Sequence, residues 1–324
     1  MTLPRPPYDP ELGAFLEAQY AASPEPAAAL SSGTLAGVRE MLATVSPSID
    51  AMIAGSGVEH VELSVPEQPG TPGITLSVIR RPGVATPAPC IYYVHGGGMI
   101  MGDRQTGAPI FSRWVDVFGV TVVSVEYRLA PEHPYPAPVS DCYAGLQWVA
   151  GHATELGIDP ARIVIAGNSA GGGLAAAATL MARDNGGPAL IGQLLSAPML
   201  DDRDATVSAR QFDGPGPWNR SDNVFGWTAL LGAARGTADV SPYAAPARAT
   251  DLSGLPPVYL DAGSAEVFRD EIVDYASRIW AAGGQAELHI WAGGFHGFQL
   301  ANQTHVAQAA LAARDSWLTR ILAS

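Results

Sequence analysis

The sequence predicts an α/β fold: a mostly parallel eight-stranded sheet with helices on both faces. Two observations predict it. Short apolar runs, of the kind buried on both faces, recur along the chain and alternate with stretches at helical spacing. One run, Ile163 to Ala166, passes straight into Gly167-Asn-Ser-Ala-Gly171 and then into the helix-forming residues Leu174 to Met181. Strand, G-x-S-x-G turn and helix in that order describe a nucleophile elbow, which exposes a serine above the sheet edge. Side chains two positions before and two after Ser169 would collide with backbone, and Gly167 and Gly171 remove the collision. The helix begins just beyond the serine, so its free N–H groups and positive dipole end face any oxyanion formed there. The bland alternative is a glycine-rich turn without chemistry, because a bare G-x-S-x-G also arises by chance.

Composition narrows the classes. The chain has 324 residues, 47% hydrophobic, enough for a large core. Its 31 acidic and 18 basic residues give a net charge of −13 with no Lys/Arg cluster, so no nucleic-acid partner is expected. Cys90 and Cys142 lie in apolar segments and read as reduced core residues. No CxxC or HExxH pattern suggests a metal, and no cofactor is expected. The N-terminus lacks an apolar secretion signal, and no 18-residue apolar run suggests a membrane span. A cytoplasmic location is the default expectation.

Before the first strand, Glu11–Ala22 and Leu35–Val45 read as helices, the former with Leu12, Phe15, Leu16 and Tyr20 at helical spacing. Helices placed there can pack as a lid over a site built later; the plainer reading is a frayed extension. Val58–Val65 and Ile74–Arg80 read as strands joined by a Pro/Gly-rich turn over 66–73. Cys90–Val94 is a buried strand ending in His95-Gly-Gly-Gly98. Beside the elbow, the N–H groups of Gly97 and Gly98, with that of Ala170, are candidate donors to an oxyanion. The bland alternative is a flexible Gly loop; a phosphate loop is not expected, since no Gly-Lys-Ser/Thr follows and G-x-G-x-x-G does not fit. His95 is expected to brace this loop rather than act as a base.

Ala108–Phe118 reads as a helix and Val120–Tyr127 as a strand. The proline-rich stretch Tyr127-Arg-Leu-Ala-Pro-Glu-His-Pro-Tyr-Pro136 can be neither helix nor central strand, and an Arg128–Glu132 ion pair is expected to fix it. Asp141–Gly151 reads as a helix capped by Ser140 or Asp141. Gly157-Ile-Asp-Pro160 punctuates the crossover into the elbow strand.

His95-Gly-Gly-Gly98, Tyr127-Arg-Leu-Ala-Pro-Glu132 and Gly167-Asn-Ser-Ala-Gly-Gly172 stand in the order and spacing of the hormone-sensitive-lipase-like esterases. From about residue 58 onward the chain resembles the bacterial members of that α/β-hydrolase family. Leu200-Asp-Asp-Arg203 and Tyr243-Ala-Ala-Pro246 resemble its bacterial heroin-esterase branch. Asn168 replaces the family's usual Asp, and Gly173 a common Asn.

Ala189–Pro198 reads as a strand, after which 199–250 shows no strand–helix alternation and carries exposed-looking Phe212, Trp218, Phe225 and Trp227. The resemblance implies that this insertion joins the N-terminal helices in a cap. The expected organisation is cap helices over 1–55, hydrolase core over 56–198, cap insertion over 199–250 and core again over 251–324. Aromatic residues of the insertion could wall a pocket; ordinary packing explains any one of them equally well.

Pro257–Leu260 is the next strand, and a helix runs to Ala282. Aligning Arg269-Asp-Glu271 with the family's Asp-Pro-Leu-Arg-Asp-Glu puts Glu266 in place of the acid that orients the histidine, with Asp261 and Asp270 as rivals. Any carboxylate can accept the imidazole Nδ1–H. Ala286–Trp291 is the last strand, and His296 sits in the glycine-flanked loop after it, completing the chain order Ser, acid, His. The closing helix spans Thr304–Leu322, with Leu311, Trp317 and Ile321 toward the sheet.

The resemblance implies a carboxylesterase for short- to medium-chain esters, with a small-molecule ester as partner, no membrane and a possible homodimer. Two alternatives remain: a hydrolase of lactones, carbamates, amides or acetylated metabolites with the same machinery, and a binding protein that kept the fold without the chemistry.

Overall fold

The computed structural model describes residues 3–22, 30–67, 73–83 and 87–323. The expected turn over 66–73 lies largely outside them. The chain opens with helices α1 (Pro10–Ala22), α2 (Leu35–Val45) and α3 (Ile49–Ile53), then strands β1 (Glu59–Val65), β2 (Ile74–Arg80) and β3 (Ala88–Val94). Helix α4 (Ala108–Phe118), strand β4 (Thr121–Glu126), helices α5 (Ala137–Gly151) and α6 (Ala153–Leu156), strand β5 (Ile158–Asn168) and helix α7 (Ala170–Asp184) follow. Then come strand β6 (Gly192–Ser196), helices α8 (Val207–Gln211) and α9 (Arg220–Leu231), strand β7 (Val258–Gly263), helix α10 (Arg269–Ala281), strand β8 (Ala286–Trp291) and helix α11 (His305–Leu322).

The eight strands form one sheet in the order β1-β2-β4-β3-β5-β6-β7-β8. β1–β2 and β2–β4 pair antiparallel; every other pair is parallel. Period-two alternation along the strands builds two cores. Cys90, Tyr92, Val94, Ile163 and Ile165 face the side covered by α5, α7 and α10. Ile91, Tyr93, Val164 and Ala166 face α4 and α11. Helices therefore lie on both faces, as the alternating pattern predicts. Both cysteines are buried and free.

Several local expectations need correction. The helix read from Asp141 starts at Ala137, because Pro138 suits a first turn where no N–H is needed. Neither Ser140 nor Asp141 caps it. Asp141 instead takes the Arg128 guanidinium on both oxygens, at 2.8 Å each, and the Arg128 amide at 2.9 Å. The expected Arg128–Glu132 pair is therefore absent: Glu132 pairs with Arg39 of α2 at 2.8 Å. The strand read over 189–198 is only Gly192–Ser196. In the insertion, Phe212 and Trp227 are buried rather than exposed, while Trp218 and Phe225 are half-buried. On α1, Leu12 and Leu16 pack against Phe295 and Phe298, but Tyr20 points out. On α11, Leu311 is only half-buried and belongs to neither sheet-facing core, while Trp317 and Ile321 face the sheet as expected and Leu318 joins them.

The segment before α1 reaches the insertion. Arg5 donates to the carbonyls of Gln211 (2.6 Å), Asp213 and Pro215 (3.2 Å), and Gln211 returns a bond to the Pro4 carbonyl at 2.6 Å. Asp9 donates its amide to the Gly293 carbonyl at 3.1 Å, three residues before His296. The early residues are thus tied to the insertion and to the His296 loop.

Candidate active site

Ser169 stands between β5 and α7 with φ 54° and ψ −124°. A non-glycine residue there is strained by about 1–3 kcal/mol, and the fold holds it from both sides. Its amide donates to the Ser196 carbonyl at 2.8 Å, and its carbonyl accepts from Gly173 (3.1 Å) and Met199 (3.0 Å). The flanking glycines are sterically required. A Cβ on Gly167 would lie 2.3 Å from the Gly171 carbonyl oxygen, and one on Gly171 would lie 2.1 Å from that of Val94. Gly173 is likewise closed to a side chain, with the Met199 oxygen 2.0 Å from its Cβ position. The chain's departure from Asn at that position therefore goes with a local backbone approach.

His296 comes to Ser169 from the far end of the sheet. Its Nε2 lies 3.0 Å from Ser169 Oγ, and its Nδ1 lies 2.5 Å from Glu266 Oε2. Glu266 is nearly fully buried, and its Oε1 accepts the Gly263 amide at 2.7 Å. Because Oε2 can only accept, Nδ1 carries the proton and Nε2 presents its lone pair to the serine. The rivals are engaged elsewhere. Asp261 accepts from Ser196 Oγ at 2.8 Å and lies 3.5 Å from Arg314, all buried. Asp270 accepts the Ser208 amide at 2.7 Å and pairs with Arg269.

The loop after β3 lies against the elbow. Gly97 (φ 117°) and Gly98 (φ 63°) both need left-handed backbone, and no hydrogen bond among the described residues uses their N–H groups. The Gly97 carbonyl accepts from Ile100 and Met101 at 3.0 Å each, which curls the loop. Ala170 is the first residue of α7, so its N–H has no intrahelical acceptor. His95 is buried; its Nδ1–H donates to the Gly96 carbonyl at 2.8 Å and its ring stacks on Tyr127 at 4.0 Å. Burial pushes its pKa down, so it stays neutral and serves as a brace, as expected of it.

Sequence reasoning passed over three supports. Asn168 Oδ1 accepts both the Tyr93 hydroxyl (2.7 Å) and the Gly96 amide (3.1 Å), joining elbow to glycine loop. Its place next to Ser169 was the available signal. Arg39 reaches over from α2 to donate to the carbonyls of Ile100 (2.7 Å) and Ala130 (2.8 Å). No sequence pattern links residues so far apart. Glu271 accepts the Leu200 amide at 2.7 Å and that of Asp201 at 3.3 Å, fixing the segment that holds the Ser169 carbonyl.

Burial, together with the charges of Asp201 and Glu266, raises the Glu271 pKa well above the ordinary carboxyl range. A carboxyl so raised stabilises the fold below its unfolded pKa, and that contribution is lost as pH rises through the folded pKa. Glutamine keeps the accepting oxygen and never ionises. Glu271→Gln is therefore expected to match wild type in thermal melting at about pH 4 and to melt about 2 °C or more above it at about pH 8. A constant gap across that range would contradict the assignment.

Known proteins resemble this chain in sequence and in fold. The model of the α/β-hydrolase fold matches residues 91–300. Esterase LipI of Mycobacterium tuberculosis is 39% identical over 209 residues, 62% of this chain and 63% of LipI. Carboxylesterase NlhH of the same organism is 38% identical over 237 residues, 68% of this chain and 69% of NlhH. Among solved structures, a bacterial heroin esterase superposes with a TM-score of 0.89 at 39% identity, covering 98% of both chains. The chain accordingly belongs to the α/β-hydrolase fold family, in its hormone-sensitive-lipase-like branch.

Proposed function

We propose that the protein is a serine carboxylesterase for short- to medium-chain carboxylic esters. The observation that carries this reading is the unbroken relay from Ser169 Oγ through His296 (3.0 Å) to Glu266 (2.5 Å), beside a loop with free amides. LipI and NlhH are named an esterase and a carboxylesterase, which supports the same reading.

In the first half-reaction His296 Nε2 takes the Ser169 proton as Oγ bonds to the ester carbon. The carbonyl oxygen becomes an oxyanion and receives the N–H groups of Gly97, Gly98 and Ala170; one such donor contributes about 3 kcal/mol. The imidazolium then gives its proton to the alcohol oxygen as the C–O bond breaks, leaving an acyl-serine. Water repeats the sequence with its proton held on the same Nε2, and the acid departs. Glu266 stays ionised and stabilises the imidazolium in both halves. These steps need no cofactor.

The segments 1–55 and 199–250 form the proposed cap over this site, supported by the bonds of Arg5 to the insertion. A homodimer is supported by β8, an edge strand with one neighbour. Two free buried cysteines suit a reducing compartment such as the cytoplasm. No helix among the described residues is long and apolar enough to cross a membrane. The net charge of −13 argues against a nucleic-acid partner.

The test is hydrolysis of p-nitrophenyl esters from acetate to palmitate. Turnover of the short esters that falls toward palmitate supports the reading. Inactivity across the series would overturn it and favour lactones, amides or a non-catalytic ligand.

A further inference from the structure

We propose that Trp218 walls the alcohol side of the site and sets the size of leaving group that it accepts. The proposal rests on the esterase reading and names a specificity-determining residue for it.

Trp218 reaches the chemistry from the insertion. A Cβ on Gly98 would lie 2.3 Å from Trp218 Cη2 and 3.0 Å from Cζ2, so the indole edge rests on an oxyanion-loop glycine. The ring centre is 6.4 Å from that of His296 at a tilt of 41°. The indole therefore spans from the oxyanion loop to the histidine. Its Nε1 is buried and has no partner among the described residues, which marks the ring as packed for its shape rather than for a hydrogen bond.

The ring is held as a wall rather than a flap. Asn219, the next residue, is the N-cap of α9 and forms a reciprocal capping box with Asp222, with bonds of 3.1 and 3.3 Å. Arg220 ties the same turn to Asp204 at 2.7 Å and to the Phe212 carbonyl through its amide at 3.0 Å. Gly226, two turns on, allows close approach: a Cβ there would lie 3.0 Å from the Gly98 carbonyl oxygen.

The side follows from the geometry of the tetrahedral carbon. One substituent is Ser169 Oγ. The oxyanion points to Gly97, Gly98 and Ala170. The alcohol oxygen must lie near His296 Nε2 to be protonated. The acyl carbon takes the remaining direction, away from both. A ring that touches Gly98 and stands beside His296 borders the oxyanion and the alcohol, not the acyl chain.

The experiment compares wild type, Trp218→Ala and Trp218→Phe on two series: acetates of ethanol, butanol, cyclohexanol and 1-naphthol, and p-nitrophenyl esters from acetate to octanoate. Trp218→Ala is expected to raise kcat/KM for cyclohexyl over ethyl acetate by about tenfold or more, while the octanoate-to-acetate ratio moves less than about threefold. Trp218→Phe, which keeps a ring and guards against misfolding of the alanine variant, is expected to shift the alcohol ratio the same way by less. A change confined to the acyl series overturns the proposal, as does an unchanged alcohol ratio in folded variants. Inactivity of wild type on every ester would instead overturn the esterase reading beneath it.

Discussion

Alanine at Ser169 is expected to lower kcat for p-nitrophenyl acetate by about 10⁶-fold, to the residual rate that oxyanion donors and binding alone sustain. Among the described residues, Ser169 Oγ is the hydroxyl that His296 Nε2 meets. His296 Nε2 is bonded to Ser169 Oγ, and its other nitrogen is occupied by Glu266. The backbone bonds that hold position 169 come from its amide and carbonyl, which alanine retains. The variant should therefore melt with wild type while losing turnover. Measured kcat above about one per cent of wild type, in protein free of wild-type contamination, would move the nucleophile elsewhere.

Glu266→Gln is the second large effect, a loss of about 10⁴-fold in kcat. The Gly263 amide donates to Glu266 Oε1, so the glutamine oxygen is drawn to that amide and its NH₂ faces His296 Nδ1. Nδ1 must then accept, and the ring proton moves to Nε2. A protonated Nε2 cannot take the serine proton. Asp270→Asn is the matched control, since that carboxylate serves the Ser208 amide and Arg269. It should keep kcat within about threefold, the scale of a change outside the reacting groups. Asp261→Asn is a poorer control, because removing one partner of its buried pair with Arg314 costs about 3–5 kcal/mol of stability. If Asp270→Asn loses activity and Glu266→Gln does not, the acid has been misassigned.

Much of this site is readable in the chain because its physics is local. Gly167 and Gly171 flank Ser169 for a reason written in two turns of backbone, and the paired left-handed Gly97 and Gly98 follow from the glycine run itself. Central strands such as those holding Cys90–Val94 and Ile163–Ala166 appear as apolar runs because a doubly covered sheet leaves no polar face, whereas the edge strand β1 alternates, with Glu62 and Ser64 exposed. Glu266 is different: three candidate carboxylates, Asp261, Glu266 and Asp270, compete within ten residues, and the alignment that separates them comes from the resemblance.

What escaped depends on contacts made by distant parts of the chain. Arg128 sits four residues from Glu132, yet its partner is Asp141, which the first turns of α5 bring back over the loop. Glu132 is then left for Arg39, 93 residues away. The insertion was more legible than its composition suggests. Asn219-x-x-Asp222 is a helix start, and buried Asn223, Gly226, Trp227 and Leu230 fall at helical spacing, so α9 was written there. Richness in glycine and proline on either side hid it.

The central claim is that Ser169 Oγ becomes acylated. Its most direct test is mass spectrometry of the intact and digested protein after reaction with a p-nitrophenyl phosphonate, which mimics the ester and leaves a stable adduct. One adduct on the peptide bearing Ser169, absent from Ser169→Ala and strongly slowed in His296→Ala, is the result expected. An adduct on any other residue, or full ester hydrolysis by protein whose Ser169 is already blocked, would contradict the account.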